Sequence, residues 1–246
     1  TNHAIRMLQW SLNVSSISTI TPNTGSVEGG TFITITGHFV PPYTATLYCR
    51  FHTSTLVAAT YIDSSTITCI SPPAPTVHSE IMIPFRVVSI FTYYETYDTQ
   101  QFMYSTNSLE WYYYAASLTF SIIRMIPDSG VIDGGTVITM VGADFINSNA
   151  LACRFDTTTV TGTYINRTHM LCTTPPHSIG AVTVAISFNG QQYVTGDYAK
   201  FTYVNRPSIS SISLSFGPLH ASTQVVVTGS NFIAAGSTVC RFEYAT

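Results

Sequence analysis

The feature that most constrains this chain is that it repeats itself. Ile17-Ser-Thr-Ile-Thr-Pro22-Asn-Thr-Gly25 returns as Ile122-Ile-Arg-Met-Ile-Pro127-Asp-Ser-Gly130. Glu28-Gly-Gly-Thr-Phe-Ile-Thr-Ile-Thr-Gly37 returns as Asp133-Gly-Gly-Thr-Val-Ile-Thr-Met-Val-Gly142. Cys49-Arg50-Phe51 recurs as Cys153-Arg154-Phe155 and again as Cys240-Arg241-Phe242. A second cysteine followed by Pro-Pro completes each of the first two copies, at Cys69 with Pro72-Pro73 and Cys172 with Pro175-Pro176. One ordered set of motifs at matching offsets means one structural unit used more than once. Gly37 and Gly142 are 105 residues apart, Gly142 and Gly229 only 87. The first unit therefore carries about 18 extra residues, which the sequence places around Asn107 to Thr119.

Within each unit the apolar residues alternate. Ile33 and Ile35 point one way while Thr34 and Thr36 point the other, and Ile138 with Met140 and Val225 with Val227 take the matching places. This is the period of a half-buried strand with threonine on its wet face. Gly-Gly before the strand and Gly after it supply turn conformations that a Cβ resists. Asn189-Gly190, between Val182–Phe188 and Gln191–Val194, predicts a two-residue hairpin. Short strands at regular spacing with no helical period imply an all-β protein of tandem sandwiches.

Composition narrows the function. Charged residues make up only 9% of the 246, with nine Lys and Arg and a net charge of -3. No cationic cluster exists to displace phosphate counterions, which argues against nucleic acid and anionic membrane surfaces as partners. The longest uncharged stretch, Pro207 to Cys240, is rich in Ser, Thr and Gly and alternates, so it reads as strands and not as a membrane-spanning helix. The chain opens on Thr1 without an initiator methionine or signal peptide, so a mature piece or a slice of something longer is expected.

The order I-x-x-[IM]-x-P-x-x-G, G-G-T-x-I-T-[IM]-x-G, C-R-F and a second Cys with P-P resembles the IPT/TIG domain. That family is an immunoglobulin-like fold found in plexins, in fibrocystin-like ectodomains and in microbial and protist surface proteins. The resemblance implies immunoglobulin-like sandwiches arranged end to end, at the cell surface or outside the cell, and no enzyme. The third copy departs from the pattern: Leu214-Ser-Phe-Gly217 replaces Pro-x-x-Gly and Ala221-Ser222 replaces Gly-Gly.

Cys49 and Cys69 lie 20 residues apart, Cys153 and Cys172 lie 19 apart, and each pair holds the same place in its unit. An intradomain disulfide in each is expected, with buried free thiols as the alternative. Zinc is disfavoured because neither pair has C-x-x-C spacing. Cys240 has no matching partner. Asn13-Val-Ser15 and Asn166-Arg-Thr168 are sequons for N-linked sugar, or else ordinary polar turns. The seven histidines are scattered, the carboxylates are dispersed over turns, and no catalytic motif or cofactor site is expected. Phe91–Tyr97 reads as a buried seam. Trp111, Tyr112, Tyr113 and Tyr114 read as a contact surface, for another protomer, a neighbouring domain or a sugar.

The sequence thus divides into a strand or linker over 1–12, one domain over 13–106 and an aromatic insertion over 107–119. A second domain follows over 120–205, then a partial third over 206–246. The expected function is a segment of a surface fibre or adhesin; a receptor or carbohydrate-binding ectodomain with an aromatic ligand site is the alternative. Its partners would be copies of itself, met head to tail, or adjacent repeats of a longer chain, together with glycans. Ile5, Met7, Leu8 and Trp10 are the candidate strand for pairing with a neighbour.

Overall fold

The computed structural model describes residues 15–39, 46–52, 54–75, 81–92, 100–115, 121–218, 222–232 and 239–242. Among them there is no helix. The first sandwich runs through β1 (Ser16–Thr21), β2 (Thr24–Ser26), β3 (Phe32–His38), β4 (Thr46–Phe51), β5 (Thr55–Ala58), β6 (Thr60–Asp63), β7 (Thr66–Ile70), β8 (Ile81–Thr92), β9 (Gln100–Tyr104) and β10 (Leu109–Tyr114). One sheet has the order β1-β3-β7-β6; the other is β2-β10-β8-β4-β5, with β9 also on β8. The second sandwich comprises β11 (Ser121–Ile126), β12 (Ser129–Val131), β13 (Val137–Ala143), β14 (Ala152–Phe155), β15 (Thr158–Asn166), β16 (His169–Thr173), β17 (Gly180–Ser187) and β18 (Val194–Val204). Here β15 pairs with β14 through its first half and with β16 through its second, so it crosses between the two sheets. In the first sandwich the chain breaks at the same place, at Ala59, into β5 and β6.

The alternation read from the sequence is the alternation of burial. Ile33, Ile35, Ile138 and Met140 are fully buried. Side chains of this size each contribute roughly 1.5–3 kcal/mol on leaving water. On the outer face of the first sandwich Thr21, Thr34, Thr68 and Thr60 stand in one cross-strand row, and Thr19, Thr36 and Thr66 in a second. Cys49 on β4 is bonded to Cys69 on β7, and Cys153 on β14 to Cys172 on β16. Each disulfide therefore ties one sheet to the other through the middle of the core, where all four cysteines are buried.

Leu109–Tyr114 lies inside the segment read from the sequence as an insertion, and the structure corrects that reading. It is β10, antiparallel to β8 and parallel to β2, in the body of the first sheet. Its counterpart is the end of β18, which pairs with β17 and β12 in the same sense. Trp111 then corresponds to Phe201 and Tyr113 to Tyr203, all fully buried. Half of the 18 extra residues sit earlier: Ile81 to Tyr114 takes 34 residues where Gly180 to Val204 takes 25, because β8 and β9 form a longer hairpin.

In the third unit β19 (Ser208–Ile212) pairs with β20 (Val227–Ser230) in the register of β1 with β3. Its apolar residues remain uncovered: Phe242 is 77% exposed where its counterparts Phe51 and Phe155 are buried.

Candidate functional site at the junction of the two sandwiches

A set of side-chain hydrogen bonds joins the first two sandwiches. The first contributes the Pro22 corner and the start of β3. The second contributes the loop after β13 and the β17–β18 hairpin tip. That tip was expected as a two-residue turn, but Ile186 pairs with Val194, so the loop takes in Phe188 to Tyr193. The longer loop has its own scaffold. Asn189 is buried, and its Oδ1 accepts from the Gln191 and Gln192 backbone N–H groups at 3.0 Å each and from the Ser187 hydroxyl at 3.1 Å.

That scaffold aims three groups at the first sandwich. Gln191 lies along the edge of β3: the Phe32 N–H donates to its Oε1 at 2.9 Å and its Nε2 donates to the Phe32 carbonyl at 2.8 Å. The side-chain amide thus imitates a neighbouring strand. Asn189 Nδ2 donates to Thr31 Oγ1 at 3.2 Å, and the buried Thr24 hydroxyl donates to the Phe188 carbonyl at 3.0 Å. At the other contact Asn23 and Asn149 each donate a backbone N–H to the other's Oδ1, at 3.0 and 3.2 Å, and Asn149 Nδ2 reaches the Ile20 carbonyl at 2.8 Å. Bonds of this kind are individually worth about 1 kcal/mol. Tyr114 supplies the apolar centre, edge-on to Phe188 with ring centroids 5.5 Å apart. It packs with the core of the second sandwich, and burial pushes its phenol above the ordinary tyrosine range.

The four aromatic residues expected as one contact surface therefore divide. Trp111 and Tyr113 belong to the core of the first sandwich and face no partner; Tyr113 donates its hydroxyl to the Pro72 carbonyl at 2.7 Å. Only Tyr112 and Tyr114, on the opposite side of the strand, meet the neighbouring domain. A ligand platform built on Trp111 is ruled out by its complete burial. The seam expected at Phe91–Tyr97, the strand residues Ile5, Met7, Leu8 and Trp10, and the sequon at Asn13 lie outside the described side chains.

Beside the junction opens a cleft of about 260 Å³, walled by Met82, Glu110 and Tyr112 from the first sandwich and Asp144, Asn147 and Arg167 from the second. Arg167 pairs with Asp144 at 2.8 Å. Asn166, at the adjoining turn, is exposed; its Oδ1 accepts from the Thr168 N–H at 2.9 Å and the Thr168 hydroxyl at 2.8 Å. Among the described residues no group of His, Cys, Asp or Glu could hold a metal ion. Cys240 is exposed and unbonded. No helix among them is long and apolar enough to cross a membrane.

The family model for the IPT/TIG domain matches residues 15–104 and 121–203. Human fibrocystin-L is 24% identical over 225 residues, covering 91% of this chain and 5% of its own. Plexin A3 of Danio rerio is 28% identical over 251 aligned positions, covering 93% of this chain and 12% of its own. The chain thus spans about a twentieth to an eighth of these relatives. A structure of the plexin A4 full extracellular region superposes with a TM-score of 0.55 at 18% identity, over 87% of this chain and 18% of that one. With both complete units matched, in the fold that the shared motifs require, the chain belongs to the IPT/TIG domain family.

Proposed function

We propose that this chain is a stiff, non-catalytic segment of an extracellular, receptor-like ectodomain, in which docked IPT/TIG sandwiches set the distance and direction between other parts. The observation that carries the reading is the junction. Two units joined only by a flexible link would not need an amide laid along a strand edge, a reciprocal asparagine pair and a buried aromatic contact. The disulfides in both cores favour an oxidising compartment, and the plexin A4 region of the same fold is an extracellular one. Small-angle scattering of the chain, compared with the double variant Asn149→Ala, Gln191→Ala, tests it. The expected result is a broader, shorter-peaked distance distribution for the variant with unchanged unfolding of each sandwich. Superimposable scattering would remove the support.

The stronger form of the reading is a surface fibre, in which copies join head to tail. It is favoured by the way one complete unit already docks on the next through side-chain-to-backbone bonds. Such a contact is heterologous and propagates without closing. Negative-stain microscopy of native material distinguishes filaments, which this form requires, from discrete arms.

A further inference from the structure

We propose that the cleft beside the junction seats a sugar, and that this sugar is the N-linked glycan of the chain's own Asn166. The inference rests on the extracellular reading above. Its starting point is a comparison of two equivalent turns. In the first sandwich the turn between β6 and β7 is held by Asp63, whose Oδ1 accepts from the Ser65 N–H at 2.7 Å and the Ser65 hydroxyl at 2.6 Å. In the second, Asn166 makes the same two bonds to Thr168 with its Oδ1. The turn asks only for that oxygen, and a carboxylate supplies it equally well. The amide nitrogen of Asn166, to which a glycan would attach, is thus not used in holding the turn. Asn, any residue but proline, then Thr is also the required acceptor pattern.

The second observation is how near Asn166 lies to the cleft along the chain. Consecutive Cα atoms are about 3.8 Å apart, and the next residue, Arg167, is itself a wall of the cleft. A sugar attached at Asn166 therefore has the cleft within the reach of its first rings. The third observation is the character of the walls. A pyranose has an apolar C–H face and a hydroxyl-bearing rim. The first sandwich offers Tyr112 and, paired across the strands from it, Met82, which is 56% exposed despite being apolar. The second offers the Asn147 amide and the Arg167–Asp144 pair, with Glu110 opposite. Aromatic and thioether surface beneath a ring, with amide, guanidinium and carboxylate at its edge, is the chemistry that holds a saccharide. A volume of about 260 Å³ admits a sugar ring.

In the attachment step Asn166 Nδ2 attacks the anomeric carbon of a lipid-linked oligosaccharide diphosphate. The C–O bond to phosphate breaks, the lipid diphosphate leaves with the electron pair, and one amide proton is lost to base. The seated glycan then touches both sandwiches and braces the junction from outside.

The test uses the full chain secreted from eukaryotic cells, compared with Asn166→Asp, which copies Asp63 and so preserves the turn, and with Thr168→Ser, which retains the sequon. Intact mass and peptide mapping report occupancy. Hydrogen exchange over 110–112 and 144–147, together with peroxide oxidation of Met82, reports whether the cleft is covered. The expected result is a glycan on the parent and on Thr168→Ser but not on Asn166→Asp, with Met82 oxidising about threefold faster in the latter because oxidation follows exposure. An unmodified Asn166 overturns the proposal. So does a glycan whose absence leaves exchange and oxidation unchanged, since the sugar would then face solvent. Failure of the arm reading is recognised separately, by scattering of Asn149→Ala, Gln191→Ala.

Discussion

Gly29 and Gly30 offer a way to separate two costs that a glycine pair normally conceals. Both have positive φ, 77° and 78°, in the turn that leads into β3. Their surroundings differ. A Cβ on Gly29 would lie 2.6 Å from the carbonyl carbon of Pro72 and 2.6 Å from the nitrogen of Pro73, whereas a Cβ on Gly30 would meet nothing within 4 Å. For Gly30→Ala only conformation is at stake: the left-handed region costs alanine about 1–2 kcal/mol. The stiffer unfolded chain returns about 0.4–1 kcal/mol of that, leaving a net loss of about 1 kcal/mol. Gly29→Ala bears the same cost and also forces a methyl against backbone that cannot rotate away. Overpacking of this sort adds about 1–3 kcal/mol, for a total near 3 kcal/mol. The difference corresponds to about 10 °C in melting temperature for a domain of this size. Urea unfolding followed by the fluorescence of Trp111, which lies in the first core, measures the effect where it arises. The second sandwich repeats the experiment: Gly134 meets Pro175 and Pro176 at 2.6 Å, and Gly135 meets nothing. Equal losses from Gly29→Ala and Gly30→Ala would refute the separation of steric from conformational cost.

Three further outcomes are expected. Replacing both Cys153 and Cys172 with alanine should lower the stability of the second sandwich by about 3 kcal/mol, read from its urea midpoint, since the bond closes a loop of about 20 residues. Tyr203→Phe removes the hydroxyl that donates to the Pro175 carbonyl at 2.9 Å; calorimetry should register a loss of about 1 kcal/mol. Burial raises the phenols of Tyr113, Tyr114 and Tyr203 above their ordinary value. The folded state therefore holds these protons more tightly than the unfolded one. The resulting stability is fully present below about pH 10, where an unfolded phenol titrates, and is lost as pH climbs through the folded values. Denaturant midpoints should be flat from neutral pH to about 9 and fall above 10.

Both complete sandwiches were legible in the sequence because their fixed points are chemically exacting. The paired glycines, the cysteines and the Pro-Pro turns tolerate few substitutes, so the two copies align on them, and Ile33-Thr-Ile35 shows its inner and outer faces directly. Leu109–Tyr114 was misread for the opposite reason. Its alternation runs Trp111, Tyr113 inward and Tyr112, Tyr114 outward, but every member is aromatic, so the period cannot be seen in hydrophobicity. Alignment with Ala199-Lys-Phe-Thr-Tyr-Val204 would have revealed it, since there the outward positions are Lys200 and Thr202. The outward tyrosines are aromatic because a second domain lies over them. The junction itself was hidden because it is made from Asn and Gln in turns, where local sequence already accounts for such residues. Asn149 and Gln191 declare themselves only when the partner backbone is in view.

That backbone is the main recipient of the junction's bonds. Gln191 binds the N–H and carbonyl of Phe32 and ignores its side chain; Asn149 binds the carbonyl of Ile20 and the N–H of Asn23; Thr24 binds the carbonyl of Phe188. Every residue but proline presents the same N–H and carbonyl. Phe32, half exposed, is thus free to drift through generations of sequence change while the joint it receives stays in register. In these bonds only one side is inherited as a side chain and the other comes with the backbone, whereas Asn189 with Thr31 joins two side chains. A junction made this way tolerates change in the residues it reads, as long as the few amides that read the neighbouring backbone persist.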